Sequence, residues 1–229
     1  MITQYLAELA AALSFDRRLA RRVAREVEDH LRETVAEYAP GDRAEAERRA
    51  IANFGDPRVL AMQFASLSLA RRTRRAGIAV VLAVIAVLMA MKVRVAWYAA
   101  AEWRIGEDAR QLAGTVLAID RYAFWGAIIV GLIALFYAGY IRVPAVLQAK
   151  YCRQNRRVIF LCAAAACSLV VSVVSDGVLT ALQLSGELRE AAIIPLVSMA
   201  AEIACAGAVI LLIIDTLRGR MRTEALLRA

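Results

Sequence analysis

Four ionisable side chains stand where this sequence is otherwise apolar: Lys92, Arg94, Asp176 and Glu202 lie within or at the ends of long hydrophobic runs. A charge held in hydrocarbon costs roughly 2.5–3.5 kcal/mol even on the lenient insertion scale. The chemistry on offer is therefore ion pairing or the holding of a proton. At 1.5 Å per helical residue, Lys92 and Arg94 lie roughly 24–27 Å from the start of their run, and Asp176 lies about 27 Å from the start of its own. Runs that cross in the same direction place these groups at equal depth. The spacing predicts an ion pair between Asp176 and Lys92 or Arg94 near the outer leaflet, against separate snorkelling of each group to the interface. Glu202 falls about 16 Å from the outer edge of its run, where no basic residue matches its depth closely. It is either protonated and hydrogen-bonded inside a bundle, to Ser172 or Ser168, or turned toward an oligomer or partner helix.

Other chemistry has little to build on. Glu26, Asp29, His30 and Glu33 share neighbouring helical turns, but one histidine with carboxylates on one helix gives too few convergent metal ligands. His30 borders an apolar stripe beside Leu31, and a structural contact to the next helix is expected of it. The sequence has no phosphate-binding glycine loop and no nucleophile–base arrangement. A chain with no catalytic residue, metal or cofactor is expected. Cys152, Cys162, Cys167 and Cys205 have no CxxC spacing and read as small packing residues.

The elements that must position these residues follow from the charge pattern. The 229 residues carry a formal charge of +8 and are 61% hydrophobic. Residues 1–70 hold ten Lys/Arg against eleven Asp/Glu, so the basic excess belongs to residues 71–229. There it flanks apolar runs, as anchoring at an anionic leaflet requires, and nucleic acid is disfavoured as a partner. Arg71, Arg72, Arg74 and Arg75 mark the boundary between a charged module, 1–70, and a transmembrane domain, 71–229. Spans are expected at about 76–98, 122–141, 158–184 and 191–214. Residues 105–120 read as an amphipathic connection on the outer surface, and Ser185-Gly186-Glu187 as a short polar turn. Trp97, Tyr98 and Trp103 suit an aromatic belt. The basic cluster, the 142–157 loop and the arginines of the tail place both termini in the cytoplasm. The first thirty residues lack the apolar stretch of a secretory signal.

The fold class expected is all-α: a cytoplasmic module of three or four short helices followed by a four-helix transmembrane bundle. Tyr5, Leu6, Leu9 and Leu13 share one face of a first helix. Ser14 is placed to cap a second, with Asp16 in its first turn and a buried stripe of Leu19, Val23, Val27, Leu31, Val35 and Tyr38. Pro40-Gly41 ends it. Asp42 and Glu45 form the pattern of a capping box for a third helix. Gly55 suits a left-handed C-terminal position, and Asp56-Pro57 starts a fourth helix with Val59, Leu60, Phe64 and Leu67 inward. With no Pro or Gly between Pro57 and Gly77, that helix is expected to run on into the first span. So small a module has a marginal core and is expected to rely on docking to another surface.

The second helix is charge-segregated, basic from Arg17 to Arg25 and acidic from Glu26 to Glu37, an order that opposes the helix macrodipole. Pairs Arg22–Glu26 and Arg25–Asp29 are expected to recover a few tenths of a kcal/mol each. Its face, Arg18, Arg22, Arg25, Glu26, Asp29 and Glu33, is a candidate docking surface for a protein partner or anionic headgroups.

The stretch from Arg25 to Glu33, with Glu26, His30, Leu31 and Glu33, and the later stretch from Glu45 to Pro57 ending in Phe54-Gly55-Asp56-Pro57, resemble the small helical module called the permease prefix or HAAS domain. The similarity covers roughly residues 3–70. The resemblance implies a cytoplasmic module ahead of membrane spans in the bacterial inner membrane, coupled to partners and without an assigned activity. The Arg-rich lead-in, Arg17 to Arg25, departs from it. The function expected is an inner-membrane regulatory or adaptor protein whose module binds a protein partner and whose spans anchor or sense. The alternative is an accessory subunit of a transporter or other membrane complex. The lipid bilayer, a protein partner through residues 1–70 or through the spans, and a homo-oligomer or membrane complex are the partners expected.

Overall fold

A computed structural model describes residues 1–14, 16–38, 42–100, 110–184 and 193–225. Among these residues the chain forms seven helices and no strand: α1 (Ile2–Ala12), α2 (Arg17–Glu37), α3 (Arg43–Phe54), α4 (Pro57–Ala100), α5 (Arg110–Tyr140), α6 (Ala149–Leu184) and α7 (Ile193–Ala225). Four of the helices are long and apolar enough to cross a membrane. The expected breaks at Pro40-Gly41 and Ser185-Gly186-Glu187, and the belt residue Trp103, lie outside the described residues, as do residues 105–109.

Two compact units divide the chain. One comprises Met1–Arg71, Arg142–Gln154 and Leu217–Ala229; the other comprises Arg72–Ile141 and Asn155–Thr216. In the first, α1, α2 and α3 pack on one another. Tyr5 and Leu9 from α1, Val23, Val27 and Leu31 from α2, and Ala46 and Ala50 from α3 are buried together with Ala61, Ala65 and Leu69 of α4. The rings of Tyr5 and Phe54 meet edge to face, 6.3 Å apart. Burial pushes the Tyr5 phenol above its usual range, and the Asp56 carboxylate adds to the shift. The segment 142–154 completes this unit: Leu147, Tyr151 and Cys152 are buried, and the Ser66 hydroxyl donates to the Pro144 carbonyl at 3.0 Å. A module short of core thus takes apolar surface from later in its own chain.

Several local expectations change. Asp16, not Ser14, caps α2, its carboxylate accepting from the amides of Arg18 and Leu19 at 3.1 Å. A carboxylate there also faces the positive end of the helix, which the arginines of the first turn oppose. Asp42 caps α3 by accepting from the Ala44 amide at 2.9 Å. Glu45 turns outward to Arg48 and Arg49, both 3.0 Å away, so the reciprocal half of the capping box does not form. Val59, Leu67 and Tyr38 are exposed rather than inward, and on α4 the buried positions are those of Ala61, Ala65 and Leu69; the Tyr38 hydroxyl accepts from Asn53 at 3.2 Å. His30 is solvent-exposed, with Glu33 3.8 Å away, and has no hydrogen bond or ion pair to the next helix among the described residues.

In the second unit the helices are longer than the apolar runs that identify them. The 105–120 connection, read as a surface segment, is helical from Arg110 onward, and the 142–157 loop is helical from Ala149. Small residues bring the helices close. A methyl group added to Gly77 would lie 3.5 Å from Leu135, and one on Gly131 only 3.2 Å from Val80 Cγ1 and 3.9 Å from Ala165. Gly126 meets Ser168 in the same way, at 3.5 Å. As numbering falls along α5 from 135 to 126 it rises along α4 and α6, so α5 runs antiparallel to both. The outward positions are large and apolar: Leu82, Met89, Trp125, Phe136, Phe160 and Leu211 are all exposed.

Candidate functional site

Inside that second unit the polar residues collect. Arg94 on α4 is the largest fully buried side chain among the described residues, at 1% exposure. Its Nη2 contacts Asp176 on α6 and lies 2.9 Å from Glu202 Oε1 on α7, so one guanidinium nitrogen joins three helices. The Ser198 hydroxyl donates to the Ala90 carbonyl at 2.9 Å and lies 3.4 Å from Glu202 Oε1. Asp120 on α5 accepts from the Ser172 hydroxyl at 2.6 Å and interacts electrostatically with both Arg94 and Glu202. Further along α4 and α6, the hydroxyls of Tyr98 and Thr180 are 3.3 Å apart. Glu202 Oε2 and Arg94 Nη1 are buried without a hydrogen-bond partner among the described residues.

The arrangement departs from the depth reckoning at two points. Arg94 lies against Asp176, but Lys92 is exposed and takes no part. Glu202, expected to have no base at its level, contacts Arg94, and neither Ser172 nor Ser168 bonds to it; Ser172 serves Asp120 and Ser168 lines the close approach of Gly126. A long arginine side chain spans more than a helical turn, so Cα depth alone does not match partners. Among the described residues no cluster of three His, Cys, Asp or Glu side chains is placed to hold a metal ion. Carboxylates of three helices thus surround one planar, permanently charged donor, two in contact with it and Asp120 interacting through charge alone.

In the first unit the six residues of the expected docking face, Arg18, Arg22, Arg25, Glu26, Asp29 and Glu33, are all exposed. The pairs Arg22–Glu26 and Arg25–Asp29 do not form among the described residues. Arg25 Nε donates instead to the Arg21 carbonyl at 3.2 Å, and Arg32 pairs with Glu28 at 2.5 Å. The face therefore presents a basic half and an acidic half without internal neutralisation. At the helix break, Gly55 has φ +90°, a conformation that favours glycine. Asp56 accepts from the Arg58 amide at 2.7 Å, and Pro57 opens α4. That sequence of break, cap and start closes α3 immediately before α4, the longest helix among the described residues.

Residues 4–63 match the family model named HAAS. They form an N-terminal HAAS-type helical domain, and the exposed α2 face and the Phe54–Pro57 break both lie within it. No curated protein and no solved structure matches the chain. Beyond the HAAS-type domain, α4 passes through the basic cluster without interruption. Arg71, Arg74 and Arg75 are exposed there, whereas Arg72 reaches Asp215 of α7 at 3.3 Å.

Asp120 and Ser198 join the cluster from positions that carry no charge signal within the expected spans, Asp120 because it lies in the 105–120 stretch that reads as a surface connection. A signal was present: Ala113, Asp120, Phe124, Ala127, Gly131 and Ala134 are the buried residues of α5, and their steps of seven, four, three, four and three form one helical stripe. Extending the stripe of the second span backwards places Asp120 on its inner face. Cys167, expected to pack, is exposed, whereas Cys152 and Cys162 are buried.

Proposed function

We propose that the chain is a multi-pass regulatory or adaptor protein of the bacterial inner membrane, whose HAAS-type domain binds a protein partner in the cytoplasm and whose four long helices anchor or sense. The observation that carries this reading is the α2 face: six exposed charges, segregated by sign and with none of the six paired to another among the described residues, on a chain that also supplies four apolar helices. Opposite charges separated along one helix favour a partner with the complementary order and disfavour the reversed one. The basic cluster at 71–75, the 142–157 segment and Arg218, Arg220 and Arg222 support a cytoplasmic domain by the positive-inside bias.

The test is affinity purification of the full chain from membranes in mild detergent, with Glu26→Arg/Asp29→Arg as the comparison. The expected result is one dominant protein partner, lost on charge reversal and recovered by compensating reversal in that partner. Recovery of transporter subunits that the reversal leaves bound would favour an accessory subunit held through the spans. A full chain that leaves membranes on alkaline carbonate extraction would sink the membrane reading itself.

A further inference from the structure

On the face of the second unit, α5 and α6 border an open groove of about 590 Å³ lined by Ile133, Tyr137, Arg156, Arg157, Phe160 and Leu161. Its walls are ladders of the same design. Tyr137 stands one helical turn from Ile133, Arg156 one turn from Phe160, and Arg157 one turn from Leu161, each an i,i+4 pair on one helix face. Because α5 and α6 are antiparallel, the polar member of every pair falls at the same end. The groove is thus basic and hydroxylic at one end and apolar for the rest of its length, with the changeover inside about 6 Å. The arginines are also free to act. Arg72, Arg94 and Arg220 each have a carboxylate within contact distance, whereas Arg156 and Arg157 are exposed and make no side-chain ion pair or hydrogen bond among the described residues. Phe160 stands 75% exposed beside them.

We propose that this groove binds an anionic phospholipid, its headgroup phosphate on Arg156, Arg157 and the Tyr137 hydroxyl and an acyl chain along Ile133, Phe160 and Leu161. Two guanidinium groups lining one groove suit a phosphodiester, which takes charge-assisted hydrogen bonds from each. Basic pockets between membrane helices select such headgroups over zwitterionic ones. The apolar wall distinguishes the lipid from free phosphate, because only the lipid places hydrocarbon on Phe160 and Leu161. The proposal rests on the membrane reading of the four long helices.

The test uses the full chain reconstituted into nanodiscs of phosphatidylcholine with a minority of phosphatidylglycerol, followed by native mass spectrometry of the retained lipids. Phosphatidylglycerol is expected to be enriched over its bulk share. Arg156→Gln/Arg157→Gln is expected to lower that selectivity about thirtyfold, taking roughly one tenfold step per 1.4 kcal/mol and about 1 kcal/mol per arginine. Lys150→Gln/Arg153→Gln removes the same charge from exposed positions outside the groove and is expected to change it little. Phe160→Ala is expected to weaken retention of the lipid, and water-soluble glycerophosphate is expected not to displace it. Equal losses in the two double variants would reduce the effect to net charge and overturn the proposal, as would displacement by glycerophosphate. Unchanged helical content and melting of each variant exclude misfolding. A chain that enters nanodiscs but shows no lipid preference defeats this proposal alone; one that does not enter them defeats the membrane reading with it.

Discussion

In the HAAS-type domain, aliphatic side chains such as Leu9, Val27 and Leu31 are buried while Arg22, Glu26 and Asp29 face outward; in the unit of Arg72–Ile141 and Asn155–Thr216, Phe136 and Leu211 face outward while Arg94, Asp120 and Glu202 are buried. The same chain thus uses charge in two opposite ways. Outside, a charged side chain is cheap to place and contributes little to stability, so its identity is free to encode partner choice. Inside, a charge is expensive alone and holds its place only through its partners, so its identity encodes packing.

The sharpest way to break that comparison is at Arg94. Arg94→Ala leaves Asp176 and Glu202 facing each other without their shared cation, and a loss of roughly 3–5 kcal/mol is expected for removing one member of a buried set. Thermal unfolding of the full chain in detergent measures it. Replacing Arg94, Asp176 and Glu202 together by Met, Leu and Leu is expected to restore most of the loss; if the triple variant is as unstable as the single, the penalty is not one of unpaired charge. In the HAAS-type domain the counterpart is aliphatic: Leu31→Ala, at a fully buried site, is expected to cost about 2–4 kcal/mol by transfer and cavity terms. Charge removal on the same helix, Glu26→Gln or Asp29→Asn, is expected to stay within about 0.5 kcal/mol.

Smaller changes sharpen the contrast at helix ends. Asp16→Ala removes the carboxylate that accepts two amides at the start of α2, and about 1 kcal/mol of stability is expected to go with it. Ser14→Ala, at the position that looked like the cap, is expected to be near neutral, and equal losses would show the assignment to be wrong. The smallest effect is confined to alkaline solution. The Tyr5 phenol is raised in the folded domain by burial and by Asp56, so the folded state favours the neutral form. Stability is unaffected below the ordinary phenol value of about 10 and falls as pH rises past it, where the unfolded chain loses its proton first. Tyr5→Phe is expected to abolish the component of alkaline destabilisation due to this group, seen by comparing melting of both forms at pH 9 and 11.

What the sequence disclosed follows the same division. Apolar runs and flanking arginines marked the four long helices, and Phe54-Gly55-Asp56-Pro57 marked the break before α4, because these signals are local. The partners of Arg94 were half legible: Asp176 followed from equal depth, but Glu202 did not, since the reach of a guanidinium is not contained in Cα spacing. Asp120 was hidden by treating the apolar run as the helix. The α5 helix begins ten residues before Asp120, and only its stripe of small residues carries that information. His30 shows the converse, for bordering an apolar stripe in sequence did not bring it into contact.

The first unit is assembled from three stretches that lie far apart in the chain, Met1–Arg71, Arg142–Gln154 and Leu217–Ala229. Its order of synthesis therefore differs from its order of completion. At roughly 5–20 residues per second of translation, the N-terminal helices emerge on the order of ten seconds before the last stretch they pack with. Until Pro144 emerges, the Ser66 hydroxyl lacks the carbonyl to which it donates, and the unit stays incomplete while the helices that open it are already formed.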